Sequence, residues 1–534
     1  MKFPAIVIGT NVRLAMVAGC VGLVSTGVLG SLGTHSPTNS APPTSSLLRS
    51  VVPLDPTREE VIAVAPDPVF ESKTRFIPSV RPVFKKSEPS PPIDVPRLVR
   101  RPQVQDPPAP EPPTSAAVPI ASKNVQFLAN VPIPGALIFG TAGGRFQKRE
   151  NGQVLFFLTG PTGLTVVDAT IARAPVVIGE LSIPHWENED VDLVGNTLLI
   201  SADGSFGSAL FVVDISIPYA PRLRGLYKFQ DEPGKWKGSG KPGHIANCIV
   251  ECRYAYVTGA RSGLVAIVDL GDPAQMYTQP ALVATFHPPA GDPNALFKSG
   301  VVHDVNVDST GLVWLTGSGG VSAYGVGGLW PGTPTAPVQV ASNNTIALND
   351  YILHNSLRPK GGSTLLVTEE VIDFSFDNDG DCAAEGRFET YSFTGGVIAP
   401  LDSWRVPEKT GLHTNGSSPL PLVCSAHWFD YRDDGIVSIG WYQQGLRLLD
   451  VSNPADIRQV GWFNAPGAIA SSGYFHPVTT AVVYVADYQR GLDVIEVCPG
   501  TCPLGGGIGT PVISQATVNF KPSEAWGYAC PLIS

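Results

Sequence analysis

Gly445-Leu446-Arg447-Leu448-Leu449-Asp450-Val451-Ser452-Asn453-Pro454, followed at a short distance by Val460-Gly461, reads as an apolar strand, a turn opened by Asp and closed near Pro, and a return strand. Asp suits such a turn because its carboxylate accepts hydrogen bonds from the turn amides. The same phrase recurs along the chain. Residues 163–168 end in Asp168 and precede Ala174-Pro175 and Val177-Ile178-Gly179. Residues 210–216 carry Asp214 and precede Ala220-Pro221 and Gly225, and residues 263–269 end in Asp269 before Asp272-Pro273. Residues 491–497 close the series. The acidic residues that end these strands are expected to be structural, not catalytic.

Ahead of each such hairpin lies another, as in residues 254–259, 312–317 and 482–487. Four short strands per unit, at a spacing of about 45–60 residues, predict the blades of a β-propeller. Units begin near Gly135, His185, His244, His303, His354, His427 and His476, which makes seven. The last unit stops after its third strand at Val497. Residues 124–134 carry a fourth-strand pattern with no third strand before them, so pairing them with the last blade closes the ring and removes an exposed sheet edge. The expectation is an all-β, seven-bladed propeller over residues 121–498, closed by an N-terminal strand.

The hairpins resemble the LVIVD-repeat β-propellers of microbial cell surfaces, and residues 445–461 carry the resemblance best. It extends over about residues 124–497, weakening in the fourth unit, where residues 321–326 lack the Asp, and in the fifth, which holds an insertion at 372–387. Selenium-binding-type propellers, which include methanethiol oxidases, are similar more distantly, at the level of fold; that likeness implies inward histidines and copper. Neither resemblance names an activity, because propellers host enzymes, binding modules and scaffolds alike.

The 534 residues would by length suggest three or four domains. With 56 Gly and 51 Pro the chain is instead turn-dense, and 43% apolar residues supply a large core. A formal charge of −10, with no basic stripe, argues against a nucleic-acid surface. Residues 1–33 place Lys2 and Arg13 before an uncharged apolar run, the layout of an export signal. A membrane anchor, or lipoprotein processing at Cys20, fits the same run. Residues 34–120 are Pro-rich and without period, as in a polyproline-like or disordered linker. The tail, 499–534, is expected to wrap the propeller, held by Cys530 or by Trp526 and Tyr528. These readings place the protein outside the cytoplasm, secreted or on the envelope, with contact to membrane through the N-terminal segment alone.

Cysteine spacing agrees with export. Cys248 with Cys252 and Cys498 with Cys502 can each close a tight loop as a disulfide, and Cys382 with Cys424 is plausible across neighbouring loops. A zinc site from the Cys-x3-Cys pairs is the competing reading.

Six of the nine histidines recur at one place in the repeat: His185, His244, His303, His354, His427 and His476. If each opens the innermost strand of its blade, symmetry brings the imidazoles together at the mouth of the central channel. Imidazole is the commonest protein ligand for transition metals, so a subset could hold Zn, Cu or Fe, with Glu369 or Glu370 adding a carboxylate. Alternatively each His locks its blade to a neighbour's backbone. Loops carrying Arg261, Tyr442, Gln443 and Arg490 are expected around the same mouth as a ligand-binding rim. Asp377-Asn378-Asp379-Gly380-Asp381 supplies oxygens for Ca²⁺ but lacks the rest of an EF-hand loop. Nucleophile elbow, zincin helix, phosphate loop and dinucleotide fingerprint are all missing. The sequence therefore points to a binding or interaction module for a protein or small-molecule ligand on the envelope face. A metal-dependent, oxidoreductase-like enzyme using the histidines is the alternative.

Overall fold

The computed structural model describes residues 119–132, 143–183, 185, 188–203, 208–229, 241–259, 262–272, 275, 277–288, 301–343, 352–370, 386–407, 424–503 and 508–513, the last segment by backbone alone. The chain divides into two units, 1–105 and 106–534, and all described residues belong to the second. The expected export segment, most of the linker, Arg261, Cys382, the Asp377–Asp381 run and Cys530 lie outside the described residues.

Seven sheets follow one another along the chain; six are built on four-strand antiparallel meanders, and the seventh borrows its fourth strand from the N-terminal side. Blade 1 runs from Gly144–Lys148 to Val176–Ser182, blade 2 from Asp192–Val194 to Arg222–Lys228, and blade 3 from Ala246–Ile249 to Ala281–Phe286. Blade 4 runs from Val302–Val307 to Ala336–Asn343, blade 5 from Ile352–Leu357 to Val397–Trp404, and blade 6 from Phe429–Arg432 to Arg458–Asn464. Blade 7 starts with Ala470–Phe475 and takes its fourth strand, Val125–Val131, from the N-terminal side, paired antiparallel to Gly491–Val497. The protein is a seven-bladed all-β propeller, and its helical content among the described residues is one 3-10 turn at Pro359–Gly361.

The repeated phrase has a local cause. Asp168, Asp214, Asp269 and Asp450 each accept, through Oδ1, the backbone N–H two residues on, at 2.8–2.9 Å. That bond starts the turn into the fourth strand. The Gly that follows sits just past a β-bulge in strands four of blades 1, 2 and 6. A Cβ on Gly179 would stand 2.2 Å from the Pro218 carbonyl oxygen, and one on Gly225 2.5 Å from Thr278 Oγ1. The next blade's turn therefore seats directly on the backbone. The closing strand carries the same bulge, between Phe127 and Ala129, which marks it as a true fourth strand.

The seam between blades 7 and 1 is held from both sides. Gly144 N–H donates to Tyr474 Oη at 3.0 Å, Tyr484 O–H to the Ala172 carbonyl at 3.0 Å, and the rings of Phe146 and Tyr484 lie 5.0 Å apart. Phe127 stacks on Phe463 of blade 6 at 5.7 Å. Two further strands reinforce this region. Ile120–Ala121 adds to the edge of blade 6, and Ile508–Ile513 of the tail pairs parallel to Val125–Val131. Cys248–Cys252 and Cys498–Cys502 form disulfides, and Cys424 is disulfide-bonded as well.

Replacing Phe127 by Ala removes a buried ring from the closing strand and is expected to cost about 3–4 kcal/mol, read as a lowered midpoint of denaturant unfolding. A loss below ~1 kcal/mol would show that closure does not depend on this strand.

Candidate metal centre at the propeller hub

Carboxylate-to-amide bonds lace neighbouring inner strands to one another. Asp192 Oδ2 accepts the N–H of Cys248 (2.8 Å), Asp304 Oδ2 that of Ser356 (3.3 Å), and Asp430 Oδ2 that of Phe475 (2.9 Å). These bonds tie blade 2 to 3, 4 to 5 and 6 to 7, and Glu189, His244, His303, His354, His427 and Ser471 stand in or just before the inner strands of blades 2 to 7. Second-strand hydroxyls fix that position from the neighbouring blade. Ser201 donates to the His244 carbonyl, Thr258 to that of His303 (2.6 Å) and Thr316 to that of His354 (2.8 Å). Three successive histidine backbones are thus pinned by the blade before each.

The side chains converge. His354 Nε2 lies 2.9 Å and His244 Nε2 3.2 Å from Glu189 Oε2, and His427 Nε2 lies 3.3 Å from Glu189 Oε1. The Nε2 atoms of His244 and His303 are 3.0 Å apart. Glu370, at the end of the second strand of blade 5, places Oε2 at 3.7 Å from His354 Nε2 and 3.9 Å from His303 Nε2. All six residues are buried, none more than 9% exposed. Three overlapping groups, Glu189-His354-His427, Glu189-His244-His303 and His303-His354-Glu370, each bring their ligand atoms within 4.8 Å of one another.

Outer partners orient the rings. His427 Nδ1 lies 2.9 Å from the Ser471 carbonyl, which can only accept, so neutral His427 carries its lone pair on Nε2, toward the centre. His244 Nδ1 faces Asp203 Oδ2 at 3.4 Å, the carboxylate–histidine arrangement usual behind metal ligands. Burial alone would raise the Glu189 carboxyl, but the imidazoles of His244, His427 and His354 hold it well below the usual carboxylate range. Burial and the neighbouring His354 and His244 push His303 well below an ordinary imidazole, and burial with His427 lowers His354. Against burial, Glu189 raises both His244 and His427, with Asp203 also acting on the former. The arrangement is Glu189 facing four imidazoles with Glu370 beside two of them; His303 and His354 resist protonation, and Glu189 favours it at His244 and His427.

Three sequence expectations change. His185 precedes the hub residue of its blade by four positions, hydrogen-bonds the Ile183 carbonyl at 2.6 Å, and is pushed by burial to a pKa of about 4. His476 follows the inner strand of blade 7 instead of opening it. Its Nε2 donates to the Ala169 carbonyl (2.8 Å) and its Nδ1 accepts the N–H of Thr479 (2.9 Å), which is the blade-locking role. Glu369 faces away and pairs with Arg387 at 2.9 Å, while its neighbour Glu370 turns inward. The rim residues are also occupied. Tyr442 is buried with its O–H on Glu370 Oε1, Gln443 is buried with its carbonyl accepting from Asn464 Nδ2 (3.0 Å), and Arg490 pairs with Asp493 (2.7 Å).

Glu189 is the residue that the sequence reading missed. Its signal lies in Glu189-Asp190-Val191-Asp192-Leu193, which repeats His303-Asp304-Val305-Asn306-Val307 with Glu in place of His. The nearby His185 drew the count instead.

No family model and no curated protein matches the chain. Solved structures similar to it include the β-propeller domain of Cps50 (Swd1) from Myceliophteria thermophila, at 10% identity over 68% of this chain and 99% of that one, with a TM-score of 0.45. The WD40 β-propeller domain of Doa1 is similar at 9% identity over 70% of this chain and 96% of that one, TM-score 0.42. A periplasmic gluconolactonase from Pseudomonas aeruginosa is similar at 10% identity over 61% of this chain and 86% of that one, TM-score 0.44.

Thr258→Val removes the hydroxyl that pins His303 and leaves its buried carbonyl short of a partner. The expected cost is about 1–2 kcal/mol of stability by denaturant titration, with the fold retained. An unchanged midpoint would remove this bond from the account of how the hub is positioned.

Proposed function

We propose that the chain is an exported β-propeller binding module whose hub holds one transition-metal ion through His244, His303, His354, His427 and Glu189. The observation that carries this reading is the convergence of four inward imidazoles with the carboxylates of Glu189 and Glu370 as three overlapping ligand triads, in a buried setting where unpaired charge is costly. Imidazole with carboxylate suits Fe, Cu or Zn and not the hard cations Ca²⁺ or Mg²⁺. Export is supported by the charge-then-apolar start of the chain and by disulfides, which persist in oxidising compartments. The turn phrase supports kinship with the LVIVD-type surface propellers. A metal-dependent enzyme is the second reading, and two buried phenols beside the centre, Tyr442 and Tyr488, favour it.

Elemental analysis of the full chain, purified without chelators and after reconstitution with Fe, Cu or Zn, is expected to give about one metal per chain. His303→Ala combined with His354→Ala abolishes uptake while circular dichroism stays unchanged, and Asp203→Asn lowers affinity about 10–100-fold through ring orientation. No uptake by the folded parent protein ends the metal reading.

Because the ligands bind as neutral imidazole, protons compete with the metal. Affinity is expected to rise as pH increases through the histidine range, with proton release measurable in unbuffered titrations. The competing protons sit on His244 and His427, which Glu189 raises, so the rise is expected to extend above an ordinary imidazole pKa of about 6.5, and affinity that stays flat from there upward would contradict histidine ligation.

A further inference from the structure

We propose that Tyr442, from blade 6, is a positioning residue of the hub: its phenol holds Glu370 of blade 5 in place as a second carboxylate ligand of the metal. This rests on the metal reading above and goes beyond it, because four imidazoles and Glu189 can hold an ion whether or not Glu370 joins them.

Glu370 ends the second strand of blade 5, Thr364–Glu370, where its backbone pairs with Ile352, two residues before His354. Adjacent strand residues face opposite ways, and Glu369 takes the side of Arg387, so Glu370 turns toward the hub. Its Oε2 stands 3.7 Å from His354 Nε2 and 3.9 Å from His303 Nε2, and the three residues form one of the ligand triads. With metal–ligand bonds of about 2.1 Å, neighbouring donors of a six-coordinate ion lie about 3 Å apart and opposite donors about 4.2 Å apart. Both Glu370 distances fall inside that range, so one ion can be shared by the three. Charge agrees. Two carboxylates among neutral imidazoles balance a divalent ion, whereas Glu189 alone would leave a buried charge uncompensated.

A glutamate at a strand end has several rotamers, and the strand does not choose among them. The phenol does. Tyr442 O–H donates to Glu370 Oε1, which leaves Oε2 on the side of the imidazoles. Tyr442 lies between the second and third strands of blade 6, Ile436–Gly440 and Leu446–Asp450. Its carbonyl accepts from Gly445 N–H, and its N–H and carbonyl both bond the backbone of Ala470 in blade 7, each at 3.0 Å. Its φ is 41°, left-handed backbone that is uncommon for a residue other than Gly. Strain of this kind persists where the surroundings enforce it and clusters at functional sites. The ring lies 4.8 Å from that of His427 and is fully buried. Tyr442 therefore joins an imidazole ligand of blade 6, the backbone of blade 7 and the carboxylate of blade 5 in one contact group.

The test uses the full chain with Co²⁺, whose visible absorption reports coordination number and geometry. Glu370→Gln and Tyr442→Phe each keep the shape of the side chain, and circular dichroism checks that the fold is retained. Tyr442→Phe is expected to weaken Co²⁺ binding about 10–100-fold, the usual worth of a partner behind a metal ligand, and Glu370→Gln at least as much. Both variants are expected to shift the Co²⁺ spectrum in the same sense. The double variant is expected to bind no more weakly than Glu370→Gln alone, because the phenol acts through that carboxylate. Parent-like affinity and spectrum in Glu370→Gln overturn the second carboxylate while leaving the metal site standing. Losses that multiply in the double variant, or a parent-like spectrum in Tyr442→Phe, overturn the positioning role, and no Co²⁺ uptake by the parent overturns the metal reading itself.

Discussion

A carboxylate buried among four imidazoles is the interaction on which the hub depends. Taking the Glu189 charge out of water is expensive unless a cation lies against it. The imidazoles can supply that cation by taking up a proton: Glu189 favours this at His244 and His427, whereas burial and neighbouring imidazoles oppose it at His303 and His354. A proton satisfies one pair at a time. A metal ion held by these groups would satisfy the carboxylate and several inward lone pairs together, which is the physical basis of the proposed site.

Nothing in one blade could build this centre. Blades 2 to 6 each bring a side chain from the start of the inner strand, blade 5 adds Glu370 from its second strand, and the set exists because the ring closes. The Asp-opened turns fix where the fourth strand leaves each blade, the glycine after the bulge lets the next blade seat, and carboxylate-to-amide bonds keep inner strands in register. Closure by Val125–Val131 converts these local rules into a hub. Stability and site are therefore one problem: a change that loosens the seam between blades 7 and 1 also disperses the donors.

The fold was legible because it is written repeatedly. Asp450 and its counterparts make one local bond that sequence spacing reveals directly, and residues 124–134 announce themselves by having a fourth-strand pattern without a third. The site was legible in part. His244, His303, His354 and His427 converge as symmetry requires. Counting histidines failed in blade 2, where the register residue is Glu189, and in blade 7, where His476 sits at the wrong end of its strand. Neither error shows in residue type; both show in register, which depends on inter-blade bonds between residues distant in sequence. Glu369 and Glu370 pose the same difficulty, since adjacent strand residues face opposite ways and only pairing decides which turns inward.

X-ray absorption at the metal edge of the loaded full chain addresses the central claim most directly. The account predicts a first shell of nitrogen and oxygen near 2.0–2.2 Å, with the outer-shell pattern of about four imidazoles. A shell containing sulfur near 2.3 Å, or one with a single imidazole, would place the metal elsewhere and contradict it.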